Sequence, residues 1–196
     1  MFDYQLYFLK ITPKNQMEIY NRFLFAFLSV HTSWQSNVIA YNIMKNHYHK
    51  DYKKTKELLI QSKVGMYNHR SEYITEFTKN YLEHPEYYLK RDKESWQEFA
   101  NRLIKNIKGL GFAKARFAIE LIYPNEAEIV VVDTHIIQWA KQNPNKMNNT
   151  LYKKIEQGFL NHSKQHAIHP IEMRWKYWDQ KQGYKDCRYW SYCLER

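Results

Sequence analysis

Apolar residues recur at three- and four-residue steps along most of this chain, and the polar spacers between them are short. Met17, Tyr20, Leu24, Phe27 and Leu28 fall on one face of a helix predicted over residues 16–30. Ser33 is placed to cap a second helix running to about Tyr48. A third is predicted over residues 53–62, with Gly65 as its break, and a fourth over residues 70–82. Pro85 lies in a connection. Residues 94–106 carry Trp96, Phe99, Leu103 and Ile104 into a turn containing Gly109 and Gly111, and residues 112–122 continue as a helix that Pro124 ends. The β-branched run at 129–132 is too short to found a sheet. Residues 134–142 and 148–161 read as helices, and Pro170 opens a last aromatic one containing Trp175 and Trp178. With five Gly and five Pro in 196 residues, and no repeat or long linker, the expected fold class is all-α.

Composition adds a partner to this picture. The formal net charge is +10, which points to a polyanion, nucleic acid before membrane. No apolar run approaches the ~20 residues of a membrane span. Some of the 17 Tyr, 10 Phe and 6 Trp are expected in the core, and so many Tyr and Trp also suit a surface that stacks on bases. Cys187 and Cys193 are the two cysteines, consistent with a reducing compartment and no disulfide framework. The start of the chain lacks the charged and apolar regions of a signal peptide. A cytoplasmic protein is therefore expected, in a bacterial cell or a phage-infected host. The nine histidines show no zinc spacing, and no metal or cofactor is expected.

Two segments carry the candidate chemistry. Asn106-Ile-Lys-Gly-Leu-Gly-Phe-Ala-Lys-Ala115 reads as a tight turn that opens a helix. Glycine there permits φ > 0 and removes a Cβ that would obstruct a phosphate, and the helix start offers free N–H groups. Lys108, Gly109, Leu110, Gly111, Lys114 and Arg116 are the candidate DNA-binding residues; the same pattern also suits an ordinary interhelical turn. Val130-Val-Val-Asp-Thr-His135 delivers one acid, Asp133, to a helix start. Asp is a preferred N-cap, and the two roles are compatible, since a fixed carboxylate there can stabilise a cationic sugar and orient water.

These segments resemble the helix-hairpin-helix DNA glycosylase superfamily, the group of endonuclease III and adenine-mismatch glycosylase. Residues 107–115 resemble its hairpin, and Val132-Asp-Thr-His-Ile136 resembles the segment bearing its catalytic aspartate. Phe27-Leu-Ser-Val-His31 resembles its Leu-Leu-Ser-x-Gln helix end, and Val64-Gly-Met-Tyr-Asn-His-Arg70 its Gly-x-Tyr-Asn-x-Lys/Arg turn. Four matches in order span about residues 20–140. The resemblance implies a two-lobed helical fold, with one lobe of about 30–125 including the hairpin at 104–116. The other lobe would comprise about 1–29 and 126–196. It implies a monomer that grips double-stranded DNA and flips a modified, damaged or mismatched base, with Asp133 catalytic. His31, Trp34, Tyr67 and Asn68 would line the pocket or fill the gap left by the base.

Departures from the family pattern narrow the chemistry. Bifunctional members carry a Schiff-base lysine shortly after the second hairpin glycine, and the matching residue here is Ala113. Lys114 is next to it, but one residue turns a helix by about 100°, so Lys114 is expected to point elsewhere. This predicts a monofunctional glycosylase using Asp133 and water. Two cysteines cannot hold the family's iron–sulfur cluster. The fold also resembles that of viral enzymes that hypermodify thymine, so transfer of an amino acid or polyamine to an activated 5-hydroxymethyl pyrimidine is the alternative. A non-catalytic DNA-binding module is the second.

Overall fold

The structure, a computed structural model, describes residues 2–181. Helices α1 (Tyr4–Ile11), α2 (Gln16–Leu28), α3 (Trp34–Met44), α4 (Tyr52–Gln61) and α5 (Tyr67–Glu83) form the first half of the described chain. A 3-10 turn (Pro85–Tyr88) leads to α6 (Trp96–Asn106) and α7 (Phe112–Ile122), followed by α8 (Thr134–Trp139) and a second 3-10 turn (Pro144–Lys146). The last elements are α9 (Asn149–Gln165) and α10 (Pro170–Lys181). No strand occurs among the described residues, so the fold is all-α as expected.

Short polar residues start most helices. Side chains of Asp3, Asn15, Ser33, Asp51 and Asn148 each accept an N–H from the first turn that follows, and Ser95 with Glu98 forms a reciprocal capping box. Helix α1 lies outside the predicted elements. Its Tyr4, Tyr7, Phe8 and Ile11 are buried at helical spacing behind the Asp3 cap. Helix α3 stops at Met44 rather than near Tyr48. Asn46 adopts φ 67°, and its amide groups pair with the side chain of Asn21, which satisfies the chain as it leaves the helix.

The core follows from α2. Every residue from Tyr20 to Leu28 is buried, so this helix is enclosed on all sides, against α3, α5 and α7. Its aromatics meet those of α5 in tilted and stacked contacts, with Phe27 and Phe23 on Phe77 at 5.3 and 5.1 Å between ring centroids. A large buried cluster joins α1–α7 with Ile171 and Trp175 of α10. Helix α2 packs against α3, α5 and α7, whereas α1 meets α10, with Phe8 edge-on to Trp175 at 5.1 Å. A smaller cluster holds Val130, Val132, Ile136, Ile137, Tyr152, Ile155 and Phe159.

Residues 129–132 link the clusters as a buried extended segment without a sheet. Its backbone polar groups are met by side chains instead. Glu156 accepts from Val130 N (3.3 Å), the Tyr152 hydroxyl accepts from Val132 N (3.0 Å), and Arg174 Nε donates to Val131 O (3.2 Å). Side chains of α9 and α10 thereby fix the strand-like run that ends at Asp133.

Candidate active site

The hairpin between α6 and α7 uses its two glycines differently. Gly109 has φ +84°, and a Cβ there would strike the ring of Tyr73. Gly111 has φ −82° and ψ −178°, ordinary extended backbone, and a Cβ there would meet nothing within 4 Å. The first glycine is required by the fold; the second faces open space at an N-terminus of α7 that has no side-chain cap. Leu110 between them is buried and anchors the turn in the core. Lys108 is exposed, 2.5 Å from Glu72 and 3.9 Å from Glu76, and these carboxylates hold its amine above the usual lysine range.

Two expected DNA-binding cations lie elsewhere. Arg116 has no exposure: Nε is 2.7 Å from Glu156, Nη2 donates to Gln97 (2.7 Å), and the guanidinium lies over the Tyr152 ring. Position 116 is one turn into α7 and faces the α9 side, so its charge serves packing rather than phosphate contact. Lys114 also turns inward and donates to Ser29 O at 2.9 Å, at the end of α2. Rotation about the helix sets Lys114 apart from position 113, and its amine lies against the end of α2. Burial pushes the Lys114 pKa down to about 8, against the attraction of Asp133 and with Arg174 and Arg70 adding repulsion. The amine therefore feels the charge of the acid.

Asp133 caps α8. Its Oδ1 accepts from His135 N (2.9 Å) and Ile136 N (3.1 Å), and Oδ2 accepts from Arg174 Nη2 (2.7 Å). Its side chain retains 22% exposure, so the carboxylate borders solvent. Arg174 also donates Nη1 to Glu120 Oε1 (2.7 Å), which receives the Trp175 indole N–H at 2.5 Å. Glu120 is wholly buried, and burial pushes its pKa up to about 7 despite Arg174 and Trp175. His135 stands edge-on to Trp178 at 4.5 Å. Neither Arg174 nor Glu120 was among the candidates from sequence. An acid inside the apolar run 117–122 was the one available signal.

The remaining candidates lie on two neighbouring turns. His31 is exposed at φ 46° in the loop after α2, and Trp34 is partly buried in the first turn of α3. Tyr67 and Asn68 are exposed at the start of α5, where Met66 is also exposed at φ 58°. Arg70 joins the two turns, donating to Val30 O (2.5 Å) and reaching Leu28 O and the Thr32 hydroxyl at 3.4 Å. Lys114 and Arg70 thus hold successive carbonyls of the same loop. Among the described residues there is no group of three or more metal-ligating side chains, and no helix is long and apolar enough to cross a membrane. Cys187 and Cys193 lie outside the described residues.

Residues 5–168 match the helix-hairpin-helix family model described as 8-oxoguanine DNA glycosylase. Among solved structures, the 8-oxoguanine DNA glycosylase of Thermotoga maritima matches with a TM-score of 0.71 at 16% identity, over 85% of this chain and 80% of that one. An 8-oxoguanine glycosylase/lyase of Methanocaldococcus jannaschii, in complex with a 15mer DNA containing 8-oxoguanine, matches with a TM-score of 0.74 at 17% identity, over 90% and 87%. The 8-oxoguanine DNA glycosylase of Methanocaldococcus jannaschii, in a further structure, matches at 0.74 and 18%, over 87% and 80%. No curated protein matches the chain.

Proposed function

Since the chain belongs to the helix-hairpin-helix 8-oxoguanine DNA glycosylase family, we propose that it removes an oxidised purine from double-stranded DNA, with Lys114 as attacking amine and Asp133 as the carboxylate beside the sugar. The observation that carries this reading is the Lys114 amine, enclosed at the end of α2, with its pKa lowered to about 8 and within the field of Asp133. A desolvated lysine of this kind supplies a neutral nucleophile near neutral pH. Its lone pair would bond to C1′ as the C1′–N9 bond breaks, and the base would leave with that electron pair and take up one proton of the resulting ammonium. The nitrogen lone pair would then break C1′–O4′, with O4′ taking a proton from solvent, to give the protonated Schiff base. Asp133 would stabilise the positive charge on the sugar.

The open approach to Gly111 and the uncapped start of α7 suit a backbone phosphate. His31 and Met66, both exposed on left-handed backbone, would occupy the gap left by the flipped base. The presence of Ala113 at the family's lysine position supports a second reading, the monofunctional one, in which Asp133 activates water.

Borohydride trapping on a duplex containing 8-oxoguanine separates these readings. The lysine reading expects a covalent enzyme–DNA adduct that Lys114→Gln abolishes and Asp133→Asn strongly reduces. Free base without an adduct, with Lys114→Gln still active, would establish the water reading. An intact, heavier nucleoside by mass spectrometry would replace both with transfer chemistry.

A further inference from the structure

Asp133 does not depend on Arg174 for its capping role. Oδ1 alone receives both N–H groups of the α8 start, and that suffices for a helix cap. Oδ2 is held separately, at 2.7 Å from Arg174 Nη2. A surface carboxylate with a single anchored oxygen turns about its last bond; two anchors on two oxygens fix its plane. Arg174 is itself pinned in three directions, to Asp133, to Glu120 Oε1 and to Val131 O. It is nearly enclosed, at 8% exposure, too deep to serve a phosphate. Glu120, without exposure, accepts from both Arg174 and Trp175 on one oxygen, while Oε2 has no partner among the described residues. A guanidinium and a carboxyl buried together cost desolvation free energy that an apolar pair would not, so their placement is weak evidence of stability. Their geometry leads to Asp133. They also join elements distant in sequence: Glu120 on α7, the hairpin helix, and Arg174 on α10, beyond the stretch matched by the family model, which ends at residue 168.

We infer that Arg174 is the positioning residue for Asp133, that Glu120 holds Arg174 in place, and that α10 therefore completes the active site from outside the family-matched stretch. This rests on the reading of Asp133 as catalytic. Arg174 acts by setting the plane of the carboxylate that faces the sugar. A misdirected carboxylate loses transition-state stabilisation while DNA contacts made by the hairpin persist.

The test compares Arg174→Met, Arg174→Lys and Glu120→Gln with the unmodified protein. Three measurements are made: single-turnover excision from an 8-oxoguanine duplex, Kd for that duplex, and a crystal structure giving the orientation of the Asp133 carboxylate. Arg174→Met is expected to slow excision about 100-fold with Kd changed less than about threefold, and Arg174→Lys to recover part of the rate. Glu120→Gln keeps its packing and is expected to fall between them. Should Arg174→Met not fold, Arg174→Lys and Glu120→Gln carry the comparison. An Asp133 carboxylate in its original orientation without the guanidinium overturns the inference, as does a reoriented carboxylate with an unchanged rate. If the unmodified protein excises nothing, the functional reading fails, and the crystal structures still decide whether Arg174 sets the carboxylate.

Discussion

Lys114 of α7 and Ser29 at the end of α2 meet through a 2.9 Å hydrogen bond from the lysine amine to the backbone carbonyl. The bond crosses from the hairpin helix to the loop that carries His31, and it marks how deeply the amine is enclosed. Its pKa in the folded protein is about 8, below the ordinary 10.5, chiefly from burial. The neutral amine, and with it the trapped adduct, is expected to increase as pH rises through about 8 and then level off. A stability effect accompanies this. The unfolded chain binds more protons than the folded one between about 8 and 10.5, so the penalty for burying the charge is present below 8 and fades above it. Any stability advantage of Lys114→Met at pH 6 should shrink as pH rises from 8 to 10. Chemical denaturation at three pH values and a pH series of trapping rates check both statements.

Glu120 is expected to titrate in the opposite sense for stability. Burial raises its carboxyl to about 7 from 4.5, with the charge of Asp133 adding to the rise and Arg174 and Trp175 opposing it. Between those values the folded protein holds the proton more firmly than the unfolded chain. The contribution of this group to stability is therefore present below 4.5 and lost as pH rises through 7. Glu120→Gln, which cannot ionise, should flatten that part of the stability profile by on the order of a few kcal/mol. Denaturation midpoints of the variant and the unmodified protein between pH 4.5 and 7.5 measure it; parallel curves would assign the slope to other groups.

Much of the fold was legible in the sequence, because helices bury stripes and stripes leave a period. Ser33 announced α3, and the run 112–122 ending at Pro124 announced α7. Candidate positions were legible where local structure marks them: Asp133 caps a helix and Gly109 adopts positive φ. Long-range partners left no such mark. Nothing in Met173-Arg-Trp-Lys-Tyr177 distinguishes the arginine that reaches Asp133 from the lysine two residues later. Rotation about α7 sets Lys114 apart from position 113 but carries no sign that its amine reaches the Ser29 carbonyl, because a partner on another helix leaves no period in the sequence. Proximity to the glycine turn made Arg116 a DNA-binding candidate, but a cation opposite a buried glutamate from another helix looks the same in sequence as one facing solvent.

The two hairpin glycines are expected to separate stability from DNA binding. Gly109→Ala places a methyl group against Tyr73 and requires φ +84° of an L-residue, which should cost at least about 1–3 kcal/mol of stability. Gly111→Ala has both space and an ordinary φ, so its stability should change by less than about 1 kcal/mol. If a phosphate docks at the start of α7, however, the new methyl group stands in its path and Kd for duplex DNA should rise. Thermal unfolding and fluorescence anisotropy on both variants make the comparison. Equal DNA affinity for Gly111→Ala and the unmodified protein would remove the phosphate from that position.

Arg116 and Lys108 should part company in the same way. Arg116→Ala leaves Glu156 charged and unpaired in a closed interior, at a cost of about 3–5 kcal/mol. Replacing both partners, Arg116→Met with Glu156→Leu, removes the stranded charge and should recover much of that loss, though Val130 N and Gln97 lose their partner atoms. Because Arg116 touches no solvent, the salt dependence of DNA binding in the double variant should match that of the unmodified protein. Lys108 is exposed beside the glycine turn, so it can release counterions once its amine leaves Glu72 and Glu76 for a phosphate. Lys108→Ala should reduce the slope of log K against log salt by about 1. Glu72→Gln should act oppositely and tighten binding, since the lysine then has one carboxylate fewer to leave. A Lys108→Ala slope equal to that of the unmodified protein would mean that the amine keeps its carboxylate partners when DNA is bound.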